Sequence, residues 1–201
     1  MFTSMTDTNS FQEKEYYDQR FENISLQGSA LRDIVFEECV FSNCDFKDSD
    51  LARTRFANCE FTDCDLSNIA VFESKFQECE FKGTKLIGVD FTKSSQMLLS
   101  FNCYNCKIHY CNLSGLSLKK TRFTGCEVQY SDFYESDLNS ADFSNADLQD
   151  SVFENCDLRS TDFRGATNYS FDPWKNRLEK AQFSIPEVLG FLKPLKIKIE
   201  H

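Results

Sequence analysis

Two five-residue units stand back to back in the stretch Ser140-Ala-Asp-Phe-Ser-Asn-Ala-Asp-Leu-Gln149, and each has a large apolar residue near its centre. Every fifth residue from Leu26 to Phe91, and again from Leu98 to Phe163, is Phe or Leu at 24 of 28 positions. Two residues before these central positions, the chain has Ala, Ser, Thr or Cys at 21 of the 28 places. Such a fixed short period indicates a repeat architecture.

A period of five matches neither the 3.6-residue period of a helix nor the two-residue period of a strand, so the chain must turn once per unit. Four units would close a square coil of about 20 residues, with the large and the small residue inside and the other three outside. The 28 units then predict about seven coils. At roughly 4.8 Å between hydrogen-bonded strands, the rod would be about 34 Å long.

These units resemble the A(D/N)LXX signature of the pentapeptide repeat proteins. The resemblance implies an all-β fold, a right-handed quadrilateral β-helix of about seven coils with a C-terminal helix for capping or dimerisation. We predict a mobile N-terminal segment over residues 1–20, although Tyr16, Tyr17 and Phe21 could fold over the first coil. The β-helix is expected over residues 21–166, and a turn, a helix and a strand over residues 167–201.

The chain has 201 residues, is 41% hydrophobic and has a net charge of −10. No apolar run approaches the roughly 18 residues that a membrane-spanning helix needs, and no basic-then-apolar leader opens the chain. These features predict one elongated domain that resides in the cytoplasm and does not bind a membrane.

Nine of the ten cysteines fall on the small inward position, and the tenth, Cys103, takes a large one. The nine are Cys39, Cys44, Cys59, Cys64, Cys79, Cys106, Cys111, Cys126 and Cys156. Cysteine behaves as a small hydrophobe in such a place, so we interpret these residues as core packing. Disulfides are the alternative. Zinc binding is disfavoured because a column of thiols on one face does not converge on one point.

The chain contains few of the residues that an active site needs. Its only histidines are His109 and His201, and neither lies in a sequence context that would activate a nucleophile. The seven glycines are scattered, so no glycine-rich loop is available to hold a phosphate. We therefore predict that the protein is not an enzyme and binds no cofactor or metal.

The five-residue register breaks once, near residues 92–97, because Phe91 and Leu98 are seven residues apart. We expect a bulge or short loop there, formed by Lys93, Ser94, Ser95 and Gln96. Bulges often only redirect a chain, so we interpret the break as a kink between two stacked halves. A loop that contacts a partner protein is the alternative.

The repeat stops after Ala166, and the tail has signals of its own. Ser184 and Glu187 are spaced as a helix-capping pair, and Pro194 predicts that the helix ends near Lys193. The apolar residues of this helix recur on one face: Ile185, Val188, Leu189 and Leu192. Leu195, Ile197 and Ile199 alternate with polar residues and predict a short strand. The tail could cap the last coil, but it has more apolar surface than a cap needs, which favours homodimerisation.

Carboxylates concentrate in the last coils, since residues 131–165 hold nine of them against two arginines. A 20-residue coil would place Asp137 over Asp157 and Asp142 over Asp162. We take the aspartates of this region as a candidate acidic face for a partner. These residues are Asp132, Asp137, Asp142, Asp147, Asp157 and Asp162.

Two roles are open for these aspartates. They could bond to the backbone at the corners and keep the rod soluble. Alternatively, a stiff acidic rod could mimic nucleic acid, because a dimer with a charge of about −20 over roughly 70 Å has about half the charge density of duplex DNA. The negative sign also argues against direct binding of nucleic acid.

The order of parts, two repeat blocks, a short irregularity, an Asp-Pro turn and a Ser-Ile-Pro-Glu helix start, resembles the branch of the family that contains Qnr, McbG and AlbG. The resemblance implies a dimer that acts on DNA gyrase or topoisomerase IV and protects it from quinolones or peptide toxins by mimicking duplex DNA. It also implies that the acidic face from Asp132 to Asp162 enters the DNA-binding saddle of the topoisomerase. The alternative function is a structural scaffold that binds an unrelated protein.

Overall fold

Stacked parallel strands, one coil apart in sequence, build the protein. The computed structural model describes residues 4–5, 11 and 13–198. Each coil has four sides, which we call faces I to IV. They are defined by the central residues of one coil: Phe41 on face I, Phe46 on face II, Leu51 on face III and Phe56 on face IV. The prediction of an all-β fold of stacked coils is confirmed.

The strands lie in columns on three of these faces. Face I contains β1 (Ser4–Met5), β3 (Arg20–Glu22), β5 (Val40–Ser42), β7 (Glu60–Thr62), β9 (Cys79–Lys82), β11 (Phe101–Tyr104), β13 (Phe123–Thr124), β15 (Asp162–Phe163) and β16 (Gln182–Phe183). Face II contains β10 (Lys85–Ile87), β12 (Lys107–His109) and β14 (Glu127–Gln129). Face IV contains β2 (Glu15–Tyr17), β4 (Val35–Glu37), β6 (Arg55–Ala57) and β8 (Lys75–Gln77). Isolated parallel bridges, such as Asp50 with Ala70, join the coils on face III.

The register repeats every 20 residues along a face. On face I, Phe21 pairs with Phe41, which pairs with Phe61 in turn. The same column continues through Phe81, Cys103, Phe123, Phe143, Phe163 and Phe183. Phe21 and Phe183 are thus eight turns apart, one more than the seven coils counted from the sequence, because the register extends into residues that the count left out.

The chain turns because one residue per unit has a left-handed backbone. Asn43, Asn58 and Asn145 follow their central residues by two positions and have φ angles of 52°, 52° and 58°. Asparagine tolerates this conformation better than most residues. At Gly165 a Cβ atom would lie 2.4 Å from the Asn145 Oδ1 atom of the coil before it, so a larger residue there would have to displace the Asn145 side chain. A corner in every unit closes the square.

The interior consists of stacked rings. Phe21 and Phe41 lie 4.9 Å apart with an angle of 15° between their planes, and Phe123 and Phe143 lie 4.8 Å apart at 9°. These separations match the spacing between hydrogen-bonded strands, so identical side chains at identical positions stack without strain. The ring stacks and the backbone ladders therefore share one repeat distance.

The small inward residues satisfy the backbone of the preceding coil. The Ser74 hydroxyl donates to the Leu51 carbonyl at 2.7 Å, and the Thr161 hydroxyl donates to the Leu138 carbonyl at 2.8 Å. Cysteine does the same more weakly, as where the Cys44 thiol lies 3.3 Å from the Phe21 carbonyl. All ten cysteines are buried free thiols, which confirms their interpretation as core residues.

At the register break a large and a small residue change places. Phe101 pairs with Cys79 and Cys103 pairs with Phe81, so each lies over a residue of the opposite size. The Phe101 ring stacks on Phe91 at 5.3 Å and stays buried. The assignment of Leu98 to a central position is wrong: 69% of it is exposed, because the two extra residues form a turn outside the coil.

The N-terminal boundary of the coils lies before residue 21. Tyr16 is buried in β2, and the Phe11 ring packs edge-on against Tyr16, Phe21 and Phe36 at 5.1 to 5.2 Å. The prediction of a mobile segment over residues 1–20 is therefore corrected for residues 13–20, which belong to the first coil. The reason is that the open end of the core needs an apolar cover.

The C-terminal tail covers the other end with aromatic rings. A 3₁₀ helix spans Pro173–Lys175 and another spans Glu187–Leu195. Phe191 packs against Tyr169 at 5.5 Å, Phe171 at 5.1 Å and Phe183 at 5.4 Å. The predicted capping helix is thus present, although it is a 3₁₀ helix.

Three details of the tail differ from the prediction. The helix continues through Pro194 instead of ending at Lys193. Residues 196–198 form no strand, and Ile199 lies outside the described residues. The Ser184 side chain accepts a hydrogen bond from the Gly165 amide at 3.0 Å and so ties the helix to the last coil rather than capping the helix start. Contacts with the coil end override the local signals.

Truncation of a stacked ring should destabilise the fold strongly. Phe143 is fully buried between Phe123 at 4.8 Å and Phe163 at 5.4 Å. We expect Phe143→Ala to lower the free energy of unfolding in urea by about 3 to 5 kcal/mol. Phe72→Ala, at a residue that is 54% exposed, should change it by less than about 0.5 kcal/mol. Equal losses for the two variants would contradict the assignment of the core.

Candidate partner-binding surfaces

The outward aspartates have a structural role at the corners. A carboxylate oxygen of Asp142 accepts a hydrogen bond from the backbone amide of Ser144 at 2.8 Å. Asp132 accepts one from the Tyr134 amide at 2.8 Å in the same way. Asp and Asn favour turns because their side chains can bond to the backbone two residues on. At Asp142 the second carboxylate oxygen accepts a hydrogen bond from the Thr124 hydroxyl at 3.0 Å, so both of its oxygens are engaged within the rod.

The six predicted aspartates do not lie on one face. Asp137 stacks on Asp157 on face IV, and Asp142 stacks on Asp162 on face I, which confirms both predicted pairs. Asp132 lies on face III and Asp147 on face II. The single acidic face is therefore a wrong prediction, because successive five-residue units occupy successive sides of the square and only every fourth unit returns to a given face.

Positive side chains compensate the carboxylates on faces I and IV. Arg159 donates to Asp157 at 2.7 Å, and Arg177 lies 3.5 Å from the same carboxylate. Arg164 donates to Asp162 at 2.9 Å. The hydrogen bonds from these guanidinium groups hold the pKa of the Asp157 and Asp162 carboxyls below their ordinary values. These aspartates contribute less net field than the sequence suggests.

Face III of the last coils has few positive side chains near its carboxylates. Between residues 112 and 155, all within the described part of the chain, its outward positions hold no Lys or Arg. They include Asp132, Glu135 and Glu154, of which Glu154 accepts a hydrogen bond from Lys175 at 2.9 Å. Tyr134 and Val152 are 40% and 46% exposed on the same face. Sequence reasoning missed this surface because it counted charges along the chain and not around the coil.

The loop at the register break exposes two of the four predicted residues, Lys93 and Gln96, together with two that were not predicted. The Ser94 hydroxyl is buried against the Phe91 carbonyl at 2.6 Å, and the Ser95 amide donates to the Ser74 carbonyl at 2.8 Å. Lys93 ends the 3₁₀ helix Phe91–Lys93, 3.9 Å from Asp90, and Gln96 is exposed. The tip of the loop is formed by two apolar residues, Met97 (74% exposed) and Leu98 (69% exposed).

The C-terminal helix leaves apolar surface uncovered. Ile185 is 78% exposed, while Val188, Leu189 and Leu192 are half-buried. Beside them a cleft of about 910 Å³ is lined by Leu192, Phe191, Tyr169 and the fully projecting Trp174. Burial, with a smaller contribution from Glu187, raises the pKa of Tyr169 to about 12. Phe191, which the helix pattern did not single out, holds the helix against the last coil.

The described residues form neither a membrane-spanning helix nor a metal site. No helix in residues 13–198 has the length and apolar character to cross a membrane. Among the His, Cys, Asp and Glu side chains that the structure describes, no group of three or more is arranged to hold a metal ion.

Known proteins provide two kinds of similarity. A family model described as "Pentapeptide repeat region" matches residues 34–103 and 95–163. Full-length QnrB1, described as a plasmid-mediated fluoroquinolone resistance protein, is 20% identical, with a TM-score of 0.58 over 96% of this chain and 95% of that chain. A trypsin-treated variant of QnrB1 is 21% identical, with a TM-score of 0.56 over 100% and 97% of the two chains. No curated protein sequence matches the chain.

The ion pairs of Asp157 and Asp162 should make the stability of the fold depend on pH in the acidic range. Because the folded-state pKa of Asp157 and Asp162 lies below the unfolded value, their ionised forms stabilise the fold above about pH 4. This contribution is lost as the pH falls through the folded-state pKa values. Between about pH 5 and about pH 2, the melting temperature of an Asp157→Asn/Asp162→Asn double variant should therefore fall by less than that of the wild type. Parallel melting curves for the two proteins would contradict the pairing.

Proposed function

The chain belongs to the pentapeptide repeat family, and from this membership and its surfaces we propose that it is a non-enzymatic DNA mimic that binds a bacterial type II topoisomerase. The partner would be DNA gyrase or topoisomerase IV, and binding would protect it from quinolones or peptide toxins. The protein would act in the cytoplasm, where these enzymes and their DNA are found.

The observation that carries the proposal is the combination of shape and charge. A rod of stacked coils with a net charge of −10 has the outline, over nearly all of its length, of a protein described as conferring fluoroquinolone resistance. Outward carboxylates lie at the regular spacing of the rungs, as the stacked pairs Asp137 with Asp157 and Asp142 with Asp162 illustrate. A basic groove that binds duplex DNA would attract such a rod.

Dimerisation through the C-terminal end is part of the proposal. Ile185, Val188, Leu189 and Leu192 have apolar surface there, and Trp174 is 94% exposed beside them. Single exposed apolar residues are common on soluble proteins, but a contiguous group at one end of a rod favours an interface. Two rods joined at these ends would extend the charged surface to roughly 70 Å at about 4.8 Å per coil.

The loop at the register break is a second proposed contact. Because Met97 and Leu98 project at its tip, they could enter an apolar pocket of the partner while the acidic surface faces its basic groove. Ser94 and Ser95 are engaged with the coil and would support the loop rather than touch the partner.

A scaffold for an unrelated protein is the alternative function. The ion pairs of Asp157 and Asp162 with neighbouring arginines favour it, because they reduce the negative field that DNA mimicry needs. A scaffold would bind its partner without any effect on topoisomerase activity, so an activity assay separates the two functions.

DNA supercoiling by gyrase and decatenation by topoisomerase IV provide the test. A molar excess of the protein should restore activity in the presence of ciprofloxacin or a peptide poison, or inhibit the enzyme directly by competing with DNA. Bovine serum albumin, an acidic protein without this fold, serves as the control for nonspecific charge. If neither enzyme is inhibited or rescued, the topoisomerase proposal is wrong and the scaffold function is favoured.

Gel filtration tests the dimer. Leu189→Asp places a charge in the proposed interface and should shift the elution volume from that of a dimer to that of a monomer of 23.3 kDa. Leu189→Met keeps the apolar surface and should elute as the wild type does. Identical elution of all three proteins would exclude this helix as the dimer contact.

A further inference from the structure

Two tyrosine rings are stacked on the outside of the rod. Tyr110 and Tyr130 occupy the corner between faces II and III, one coil apart, with φ angles of 56° and 52°. Their ring centroids are 5.0 Å apart and the planes differ by 9°, yet the residues are 62% and 43% exposed. Large aromatic side chains are normally placed inside a fold or in an interface. An exposed stack therefore suggests a surface for a partner.

The neighbouring corners of this column hold a glycine on the Tyr110 side and an aspartate on the Tyr130 side. The preceding coil has Gly88 at the corner, which has no side chain to cover Tyr110, and its amide bonds to the His109 carbonyl at 2.8 Å. The following coil has Asp150 at this corner. The Tyr130 amide donates a hydrogen bond to the Gln149 carbonyl at 3.0 Å, which aligns the two coils there. The four successive residues of this corner column are therefore Gly88, Tyr110, Tyr130 and Asp150.

The Tyr130 hydroxyl and the Asp150 carboxylate lie close enough together to accept hydrogen bonds from one donor group. The Gln149 amide nitrogen lies 3.3 Å from both the Tyr130 hydroxyl and the Asp150 carboxylate, so the two groups share one hydrogen-bonding partner. Face III adjoins this corner with Asp132 and Glu135, on the surface between residues 112 and 155 whose described outward positions hold no Lys or Arg. The site combines an aromatic face, a carboxylate one coil away and a negative field.

We propose that this corner binds arginine side chains of a basic protein surface. A guanidinium group would lie flat on the Tyr130 ring and pair with the Asp150 carboxylate. Arginine fits better than lysine because its planar, weakly hydrated group both stacks on rings and donates two parallel hydrogen bonds to a carboxylate. The inference rests on the proposed function for the identity of the partner, and it names the surface that would meet the basic groove of the topoisomerase.

Fluorescence anisotropy with labelled peptides of eight arginines or eight lysines tests the site without a topoisomerase. The wild type should bind the arginine peptide several-fold more tightly than the lysine peptide. Tyr130→Asn, which keeps a residue suited to the left-handed corner, should weaken arginine-peptide binding by about two- to fivefold and reduce this preference. Asp150→Asn should also weaken binding of the arginine peptide.

The matched control is Asp48→Asn. Asp48 occupies the same corner column in an early coil with φ 58°, close to the 55° of Asp150. The coil before it has Gly28 in this column, where Asp150 has Tyr130, and Asn68 of the coil after it donates to it at 3.1 Å. This variant should bind the arginine peptide as the wild type does. Equal binding of both peptides by the wild type, or an unchanged preference in Tyr130→Asn, would overturn the inference.

A topoisomerase arm separates the two proposals. If wild-type protein has no effect on gyrase or topoisomerase IV but shows the tyrosine-dependent preference for arginine, the proposed function fails and the arginine site stands for another basic partner. If the wild type acts on a topoisomerase and Tyr130→Asn acts equally well, the proposed function stands and the assignment of this surface to the topoisomerase is overturned. A parallel loss of peptide preference and topoisomerase effect would support both.

Discussion

The structure depends on one constraint: each coil must repeat the register of the coil beneath it, so that backbone ladders and side-chain stacks share a single spacing. Phe21, Phe41 and Phe61 show both consequences, since they are paired in register and their rings are parallel at 4.9 Å. A residue of the wrong size at one position disturbs the stack on both sides of it. This explains why the small inward positions prefer hydroxyls and thiols, which fit beside the rings and bond to the carbonyls of the previous coil.

The register break shows how the fold accommodates a local departure from this repeat. Two extra residues would displace every later side chain, but the chain returns to register by forming a turn at Met97 and Leu98 outside the coil. The large ring of Phe101 then fills the place above Cys79, and Cys103 takes the place above Phe81. The coil keeps the same total side-chain volume, although its large and small residues have exchanged positions. A closely packed core tolerates such an exchange better than a cavity. The break also exposes an apolar tip at the middle of the rod.

The same constraint shapes the outer surface. Because a given face receives only every fourth unit, charges that are adjacent in sequence are spread around the rod, and whether they form a patch depends on what the units one coil away contribute. Arg177 comes one coil after Asp157 and Arg164 lies beside Asp162, so those carboxylates are paired. Asp132 and Glu135 lie on a face where the adjacent coils supply asparagine, serine, valine and glutamate instead. The tyrosine stack borders that face, so the proposed arginine site lies beside carboxylates that have no arginine of their own.

The five-residue period by itself determined the coil, its inward residues and the 20-residue pairing of Asp137 with Asp157, because a short repeat leaves the backbone only one way to bury a large side chain in every unit. The sequence also indicated the capping tail, through Ser184 and Glu187, though not the ring contacts of Phe191 that hold it. Only the tertiary structure decided where the coils begin, which residues form the loop tip, and which carboxylates remain uncompensated. Those outcomes depend on contacts between residues about 20 positions apart or at the open ends of the core. The sequence pattern within one five-residue unit contains no information about either kind of contact.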